Sequence, residues 1–539
     1  MSRRVTRFGD GALVAEAASV SEAHGLASAV RRARGWEGIE DVVVGYRSVV
    51  LVADPSVADL AALEDELARM PEDPRDPTPP RRVDIPVCFD GPDLDDAAGM
   101  ASMTPAALVE HLLECEMTVA FVGFLPGFAY LDGLPPALAA IPRRSTPRTA
   151  VAAGSLAVGG GFAGIYPQVS PGGWQILGRT GFTLFDPETP PFAALRPCDT
   201  VRLHVAEDPG EVSTTPRPPL RSAASRTVDV GAPGLLSMVQ DLGRIGVAGL
   251  GVPRAGAADP FALRAANRLV GNDDGAAAIE VTALGPRLRF AGPAHVAVVG
   301  RAELRVDGRP VAVDTVVPLS PGQEVSVGKT FDDLRCYIAV AGGFEVAPVL
   351  GSRSSDVLTG LGPGALRAGD VLGIGPPTRP RGRMVRADTA THRDGAHSSA
   401  PVLRVVAGPD GIGTDAVERL VAGAWEVGSA SDRMGVRLSG DESRAMTTSG
   451  NASRGMVTGA VQVPPDGQPV VLLCDHATVG GYPVPAAVVR ADLGVLGQLR
   501  PGDLVRFEAV DLAQADRARA HAERVLEQSV VGWFPVRSD

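Results

Sequence analysis

Apolar and polar positions change period several times along the first seventy residues. Ala12–Glu16 reads as a strand and Ser21–Arg34 as a helix. Asp41–Ala53 is rich in β-branched residues and predicts two strands around a turn at Gly45–Ser48. Pro55–Met70 places Leu60, Leu63, Leu67 and Met70 on one face at helical spacing, with Pro55 near the start, where its missing N–H costs little. A small α+β sandwich fits this order. Beyond it, short alternating runs separated by Gly and Pro predict many short strands.

Three stretches read as linkers: Pro71–Pro80, Glu207–Arg226 and Pro376–Ala400. They divide the chain into 1–75, 80–206, 227–376 and 400–510, followed by a C-terminal extension over 511–539. The last three large pieces echo one another. Leu195–Leu203 (LRPCDTVRL), Leu366–Leu372 (LRAGDVL) and Leu499–Phe507 (LRPGDLVRF) each join a turn to a strand. Gly154–Val158 resembles Gly459–Val463, and Gly164–Pro167 resembles Gly480–Pro483, in the same order in both pieces. Three related β-barrel-like domains follow from this, two of them forming one C-terminal module. Coincidence among Gly/Pro-rich turns is the alternative, and the preserved order argues against it.

The length of 539 residues suits roughly three to four domains. Hydrophobic residues make up 45% and charged residues 21%, which allows an ordinary core in each. The formal charge of −12 opposes sequence-independent binding to nucleic acid, which needs a positive field along the phosphates. Lys329 is the only lysine among 51 Lys and Arg residues, so Schiff-base or lysine-base chemistry has one candidate. The five cysteines, Cys88, Cys115, Cys198, Cys336 and Cys474, contain no CxxC pair and read as thiols of a reducing compartment. With no apolar leader in Met1–Asp10 and no run of about 18 apolar residues, a cytoplasmic protein without a membrane partner is expected.

Standard catalytic motifs fail. Gly328-Lys329-Thr330 imitates the tail of a phosphate loop, but the required upstream glycine position holds Gln323. There is no GxGxxG opening a helix after a strand, no HExxH and no Gly-x-Ser-x-Gly. His111 and Glu114 share a helical face without a third ligand, so no metal site is expected. What remains is a set of Gly-rich turns: Phe124–Tyr130, Ser170–Trp174, Gln240–Arg244, Gly351–Asp356 and Gly480–Pro483. Glycine lets backbone amides approach a ligand closely, and neighbouring Arg, Asp, Ser and Tyr add charge and hydrogen bonds, so such turns can build an anion or oxyanion site. Each also fits an ordinary barrel corner. The substrate-contact candidates on these turns and beside them are Gly127, Arg148, Gly172, Gly173, Ser352, Arg353, Gly480, Gly481 and Tyr482.

Two sets of segments carry a resemblance. Val122–Leu131, Pro142–Arg144, Thr146–Arg148, Ala153–Ser155, Gly164–Pro167 and Pro171–Trp174 resemble the B-type subunit of 5-oxoprolinase, also called allophanate hydrolase subunit 1. Gln240–Arg244, Gly249–Pro253, Ala266-Asn267, Gly271-Asn272, Glu280, Gly342-Gly343, Gly351–Ser354, Ser431–Gly435, Asp466–Pro469 and Asp475 with Gly480–Pro483 resemble the C-type subunit, or allophanate hydrolase subunit 2. The likeness covers about residues 5–205 and 227–510. It implies a mainly β chain with α+β content: a ferredoxin-like N-terminal domain followed by three cyclophilin-like β-barrel domains. It implies ATP-coupled opening of 5-oxoproline to glutamate with a separate A-type subunit. The same pair of modules resembles the carboxyltransferase portion of biotin-dependent urea carboxylase, and some relatives are tied to regulation of a sporulation kinase.

A lactam carbonyl is a poor electrophile, and phosphorylating its oxygen with ATP turns that oxygen into a leaving group. The site then needs cationic or N–H donors and a base for water. Arg148, Arg244 and Arg353 are candidate anion clamps. Asp241 and Asp475 are candidate acid/base or magnesium-side groups, and His111 and His476 candidate proton carriers. Each Arg and Asp also fits a structural salt bridge or turn cap. The catalytic set is therefore His111, Asp241, Arg244, Asp475 and His476. Phe162-Ala163 stands where the B-type pattern has Gln-Thr, and Ala477 where the C-type pattern has Gln; each change removes a side-chain amide. ATP and magnesium are expected to serve the complex, and biotin only under carboxyl transfer and in trans, since the chain has no biotinyl Met-Lys-Met segment. The expected partner is a protein like the A-type subunit of 5-oxoprolinase; a homo-oligomer is compatible. A non-catalytic regulatory binding protein is the third reading.

Overall fold

A computed structural model describes residues 3–33, 35–70, 80–212, 219–380, 383–384, 400–411, 415–440 and 453–531. The three linker segments fall partly outside the described residues. The chain is mainly β, with a few helices and barrel-type sheets.

The N-terminal unit is a four-stranded antiparallel sheet backed by two helices. Its strands Val5–Arg7, Ala12–Glu16, Ser48–Ala53 and Ile39–Gly45 lie in that spatial order. The two strands expected from Asp41–Ala53 form a hairpin, and Arg47 supplies the left-handed turn residue at φ 58°. The first helix runs Val20–Arg32, its N-terminal amides capped by Ser19, whose hydroxyl accepts from Glu22 N. The second begins at Leu60 rather than near Pro55. Asp54 draws Ser56 N onto its carboxylate at 2.9 Å and holds a separate turn there, and Asp59 caps the helix by accepting from Ala61 N and Ala62 N. Leu60, Leu63 and Leu67 are buried on its inner face as the periodicity predicts.

Residues 82–205 build a seven-stranded sheet whose first and last edges nearly meet. Cys88 and Arg179 exchange both backbone hydrogen bonds across that gap at 2.9 Å. The next stretch folds as paired sheets of seven and five strands, touching where Leu284 bridges Lys329. Among the described residues only the last stretch, 402–509, forms a fully closed seven-stranded barrel. The three expected barrels are thus one closed barrel and two sheet systems joined by isolated bridges, Cys88–Arg179 in one and Leu284–Lys329 and Met238–Ala365 in the other. Irregular corners rich in Gly and Pro interrupt the ladders there.

The sequence echoes correspond to one recurring turn. Arg196 N donates to Asp199 Oδ2 at 2.9 Å, Arg367 N to Asp370 Oδ2 at 2.8 Å, and Arg500 N to Asp503 Oδ2 at 2.8 Å. Each Asp also returns its own N–H to the Arg carbonyl. The strand that follows pairs in parallel with the opening strand of its piece: Thr200–Val205 with Arg82–Val87, and the Leu504–Ala509 strand with Val402–Ala407. In the middle piece a parallel bridge joins Val371 to Arg221.

The core is shared between the two ends of the chain. One cluster joins Val43 and Val50 of the N-terminal sheet, Phe121, Tyr130 and Trp174 of the second sheet, and Met456, Leu472 and Val479 of the closed barrel. The helix Leu512–Ser529 folds back over the C-terminal half, where Glu523 accepts both Nη groups of Arg264 at 2.6 and 2.8 Å.

Candidate functional site

The Phe124–Tyr130 turn of the N-terminal half meets the C-terminal half at Leu250 and Gly251. Gly127, in the left-handed region at φ 75°, donates its amide to Leu250 O at 2.9 Å. Gly251 lies so close to Leu125 that a Cβ there would stand 2.2 Å from the Leu125 oxygen. Gln168 Nε2 donates to Leu358 O at 2.9 Å. Phe124 takes φ 68°, an uncommon conformation for a bulky residue, in the middle of this contact.

On the C-terminal side Asp241 ties the segment 352–354 to its own turn. Its Oδ1 accepts from Gly243 N at 2.8 Å, Ser352 Oγ at 2.6 Å and Ser354 Oγ at 2.5 Å, and its Oδ2 accepts from Arg353 N at 2.7 Å. The Arg353 side chain instead donates to Val346 O and stays exposed, so the backbone rather than the guanidinium serves the cluster. Arg244 is fully buried. Its Nε donates to Val349 O and its Nη2 to Ser354 O at 2.5 Å, while Nη1 has no protein partner. Burial, opposed by Asp356 and Asp241, pulls its pKa below the ordinary guanidinium value.

Two buried carboxylates stand beyond Arg244, and they differ in their partners. Asp475 receives a bidentate pair from Arg433, Nε and Nη2 each at 2.9 Å, and also accepts from Val357 N. Arg433 also reaches Glu280 and donates to Gly256 O at 2.6 Å, so one guanidinium joins both sheet systems of the C-terminal half. Asp356 makes no such ion pair, although the Arg244 charge and the Thr359 hydroxyl partly offset its burial. Its Oδ1 accepts from Leu358 N and Thr359 N, and its Oδ2 is buried without a partner. Burial first, and the Asp475 charge second, push its carboxyl up to about 7.

On the N-terminal side, Arg144 and Arg148 both donate to Asp93 Oδ1, at 3.1 and 2.7 Å. Asp93 Oδ2 accepts from Ile176 N at 2.7 Å. Burial opposes the charge of Asp93, yet the hydrogen bond from Arg148 and its neighbours hold its pKa below the usual carboxylate range. Arg148 is therefore tied down through Nη2, with Nη1 buried and unpartnered. Gly172 leaves room for the Tyr166 hydroxyl, which a Cβ would meet at 2.3 Å, and Gly173 O accepts from Arg144 N at 2.7 Å. Phe121, Phe128, Tyr130, Tyr166 and Trp174 pack ring against ring around this point, mostly edge-to-face. Phe162, the residue that departs from the B-type pattern, packs its ring against Tyr46 and Tyr130.

Asp241, Arg244, Ser352, Arg353 and Asp475 thus come together, whereas Gly127 lies against Leu250, and Arg148, Gly172 and Gly173 belong to the separate Asp93 and Tyr166 cluster. His476 is buried beside Asp475, with Nδ1 2.8 Å from Ala477 O, and burial pulls its pKa below the ordinary imidazole value. Gly480 pairs with Arg454 in a short ladder, Gly481 is half-buried and Tyr482 is exposed. His111 lies elsewhere, on the exposed face of the helix Pro105–Glu114. An open groove of about 630 Å³ runs beside that helix, lined by Leu94, Val109, Leu113 and Arg202, and contains none of the candidate residues. Sequence reasoning missed Gln240, Ser354, Asp356 and Arg433 as site residues, although each stands in a Gly-rich turn or a family-like segment. Their signal was a polar or charged side chain flanked by small residues, which marks burial only once the fold is known.

The phosphate-loop imitation is settled by its backbone. Gly328-Lys329-Thr330 belongs to the strand Glu324–Thr330, whose ladder pairs with two neighbours, and a Cβ at Gly328 would meet the Glu303 carboxylate at 2.6 Å. The residues present do not form a nucleotide cradle there.

Residues 3–195 match the family described as carboxyltransferase domain, subdomain C and D, and residues 250–509 match carboxyltransferase domain, subdomain A and B. The C-type subunit of 5-oxoprolinase from Escherichia coli (strain K12) is 36% identical over 306 residues, 55% of this chain and 95% of the relative. The B-type subunit of 5-oxoprolinase from Haemophilus influenzae is 36% identical over 192 residues, 35% of this chain and 89% of the relative. The urea amidolyase of Saccharomyces cerevisiae is 30% identical over 332 residues, 57% of this chain but 18% of that much longer protein. The crystal structure of TTHA0988 superposes with a TM-score of 0.81 at 35% identity, covering 94% of this chain and 99% of that one. The chain therefore belongs to the carboxyltransferase-domain family, with an N-terminal half similar to the B-type subunit of 5-oxoprolinase joined to a C-terminal half similar to the C-type subunit.

Proposed function

We propose that this chain is the fused B/C component of an ATP-dependent 5-oxoprolinase, opening 5-oxoproline to L-glutamate together with an A-type partner. The observation that carries the reading is that both halves of one chain resemble two subunits of the same enzyme. The two halves, moreover, contact each other directly, Gln168 at Leu358 O, two residues after Asp356, and Gly127 at Leu250 O. Nucleotide and magnesium belong to the partner or to its interface in this reading, since no nucleotide motif survives on this chain. Under the same reading the N-terminal unit (1–75) is ferredoxin-like, the pieces 80–206, 227–376 and 400–510 are cyclophilin-like barrels, and the complex works in the cytoplasm.

Carboxyl transfer is the second reading, favoured by the description of both matching family segments as carboxyltransferase subdomains. Biotin would then arrive on a separate carrier. One experiment separates the two. The full chain is mixed with its cognate A-type partner, Mg-ATP and 5-oxoproline, and glutamate and ADP are measured. Stoichiometric glutamate supports the oxoprolinase reading. No glutamate, with bicarbonate-dependent turnover on a biotinylated carrier, replaces it with carboxyl transfer.

A further inference from the structure

Three buried polar atoms without protein partners hang from two neighbouring segments of the C-terminal half. They are Gln240 Oε1, Arg244 Nη1 and Asp356 Oδ2, on side chains that are each no more than 2% exposed. The backbone that carries them is tightly fixed. Gln240 Nε2 donates to Ser355 O at 2.9 Å, Ser355 N to Val239 O at 3.0 Å, and Arg244 Nη2 to Ser354 O. A buried donor or acceptor left unmade is costly, and such atoms cluster where a ligand completes them. Here one is an obligate donor, one is an amide oxygen that accepts, and one is a carboxyl oxygen.

We propose that Gln240, Arg244 and Asp356 recognise a planar amide of the lactam or ureide class, whose C=O accepts from Arg244 Nη1 while its N–H donates to Asp356 Oδ2 or Gln240 Oε1. A cis amide presents an acceptor and a donor side by side, and a guanidinium beside a carboxylate is its complement. The inference rests on the oxoprolinase reading for its choice of lactam, but the complementarity also holds for a urea. The segment 357–362 follows directly on Asp356, passes Arg244 at Gly362, and is held by Val357 N to Asp475, by Leu358 O from Gln168, and by Gly360 and Gly362 at positive φ.

The test compares two ligands that differ only in the ring atom offered to Asp356. 5-Oxoproline carries an N–H there; the corresponding γ-lactone, 5-oxotetrahydrofuran-2-carboxylate, carries an oxygen. Binding of each, and of urea, is measured by calorimetry on the full chain, alone and with its A-type partner. The wild type is expected to prefer the lactam by about tenfold or more. Asp356→Asn keeps Oδ1 for Leu358 N and Thr359 N but turns an NH₂ toward the ligand. It is expected to lose the lactam by about tenfold and to bring the lactone level with it or ahead. Gln240→Leu, which spares Asp356, weakens the lactam without reversing the order, and circular dichroism confirms that both variants fold. Equal wild-type affinity for lactam and lactone, an unchanged preference in Asp356→Asn, or no binding of any amide would overturn the proposal and leave the three atoms to a buried water. Glutamate formation is followed in parallel. A wild type that makes no glutamate but reverses its preference for amide over ester in Asp356→Asn keeps this inference and sinks the oxoprolinase reading. Active enzyme with an unmoved preference does the opposite.

Discussion

Gln168 donates its side-chain amide to the carbonyl of Leu358 at 2.9 Å, a contact between residues 190 positions apart that ties the two subunit-like halves at the edge of the candidate site. The halves also meet with Gly251 against Leu125 O and Gly127 N against Leu250 O. Nothing at this edge tolerates a side chain on Gly251, which sits at φ 80° with 2.2 Å between a built Cβ and that oxygen. Gly251→Ala is therefore expected to destabilise by about 2–4 kcal/mol, the positive-φ strain plus displacement of a fixed backbone. Gly322→Ala shares the positive φ (83°) but meets no atom within 4 Å, and should cost only about 1 kcal/mol. Urea denaturation of the two variants checks this; equal losses would mean the seam yields freely.

Arg433 couples the middle sheets to the closed barrel. It pairs with Asp475 and Glu280, and all three side chains are no more than 2% exposed. Arg433→Met leaves the buried Asp475 without its cation and Glu280 with Arg335 alone, 3.4 Å away, and is expected to cost about 3–5 kcal/mol. Replacing Asp475 alone by Asn retains Glu280 as counter-ion and should cost less. The ordering of the two variants, read from denaturation midpoints, is the measurement; the reverse ordering would place the main charge balance elsewhere.

Much of this architecture is legible in the sequence because it rests on local chemistry. The LRxxD turns are recognisable since Asp three residues after Arg accepts the Arg N–H wherever the turn recurs, and the hairpin of Asp41–Ala53 follows from β-branching on both sides of a short turn. Helix starts are less legible: Pro55 has the character of a first-turn residue, but Asp54 and Asp59 each compete for local amides and Asp59 wins the cap. At the site, Asp241 and Arg244 stand out by type, whereas Asp356 and Arg433 owe their character to burial between segments distant in the sequence. His111 shows the converse. Its spacing from Glu114 is helical, but the helix turns it outward, and only the packing of Leu108 and Leu112 decides that.

The carboxyl of Asp356 gives the folded state a distinct pH dependence. Its folded pKa of about 7 lies above the ordinary value near 3.8, so the folded state holds its proton longer than the unfolded state does. Between about pH 4 and 7 its contribution to stability must then fall as pH rises, and level off above 7. The contribution is on the order of a few kcal/mol for a buried group. Asp356→Asn abolishes it, so the variant should be relatively more stable than wild type at about pH 8 than at about pH 5. Melting temperatures across this range test the sign, and a variant that loses stability equally at both pH values would refute the assignment.

Glu40 makes the opposite case on the N-terminal unit. It accepts from Arg254 at 2.8 Å and from Arg490 at 2.7 Å, joining the first sheet to both parts of the C-terminal half. Burial alone would raise its pKa, but Arg490 and Arg254 together hold it down at about 2. A depressed carboxyl contributes stability that is full above its unfolded value near 4.5 and is lost as pH falls toward 2. That contribution is about 2–3 kcal/mol, and it acts on docking of the N-terminal unit rather than on the barrel interior. Glu40→Gln should therefore flatten the acid limb of the stability curve between about pH 4.5 and 2.5 and lower stability at neutral pH. Hydrogen exchange should report faster opening at Val42–Val44 and Ala248, whose amide bonds to the adjacent Asp41 at 2.9 Å, with the closed barrel unaffected. Uniformly faster exchange throughout the chain would instead mean that the N-terminal sheet and the barrel unfold as one unit.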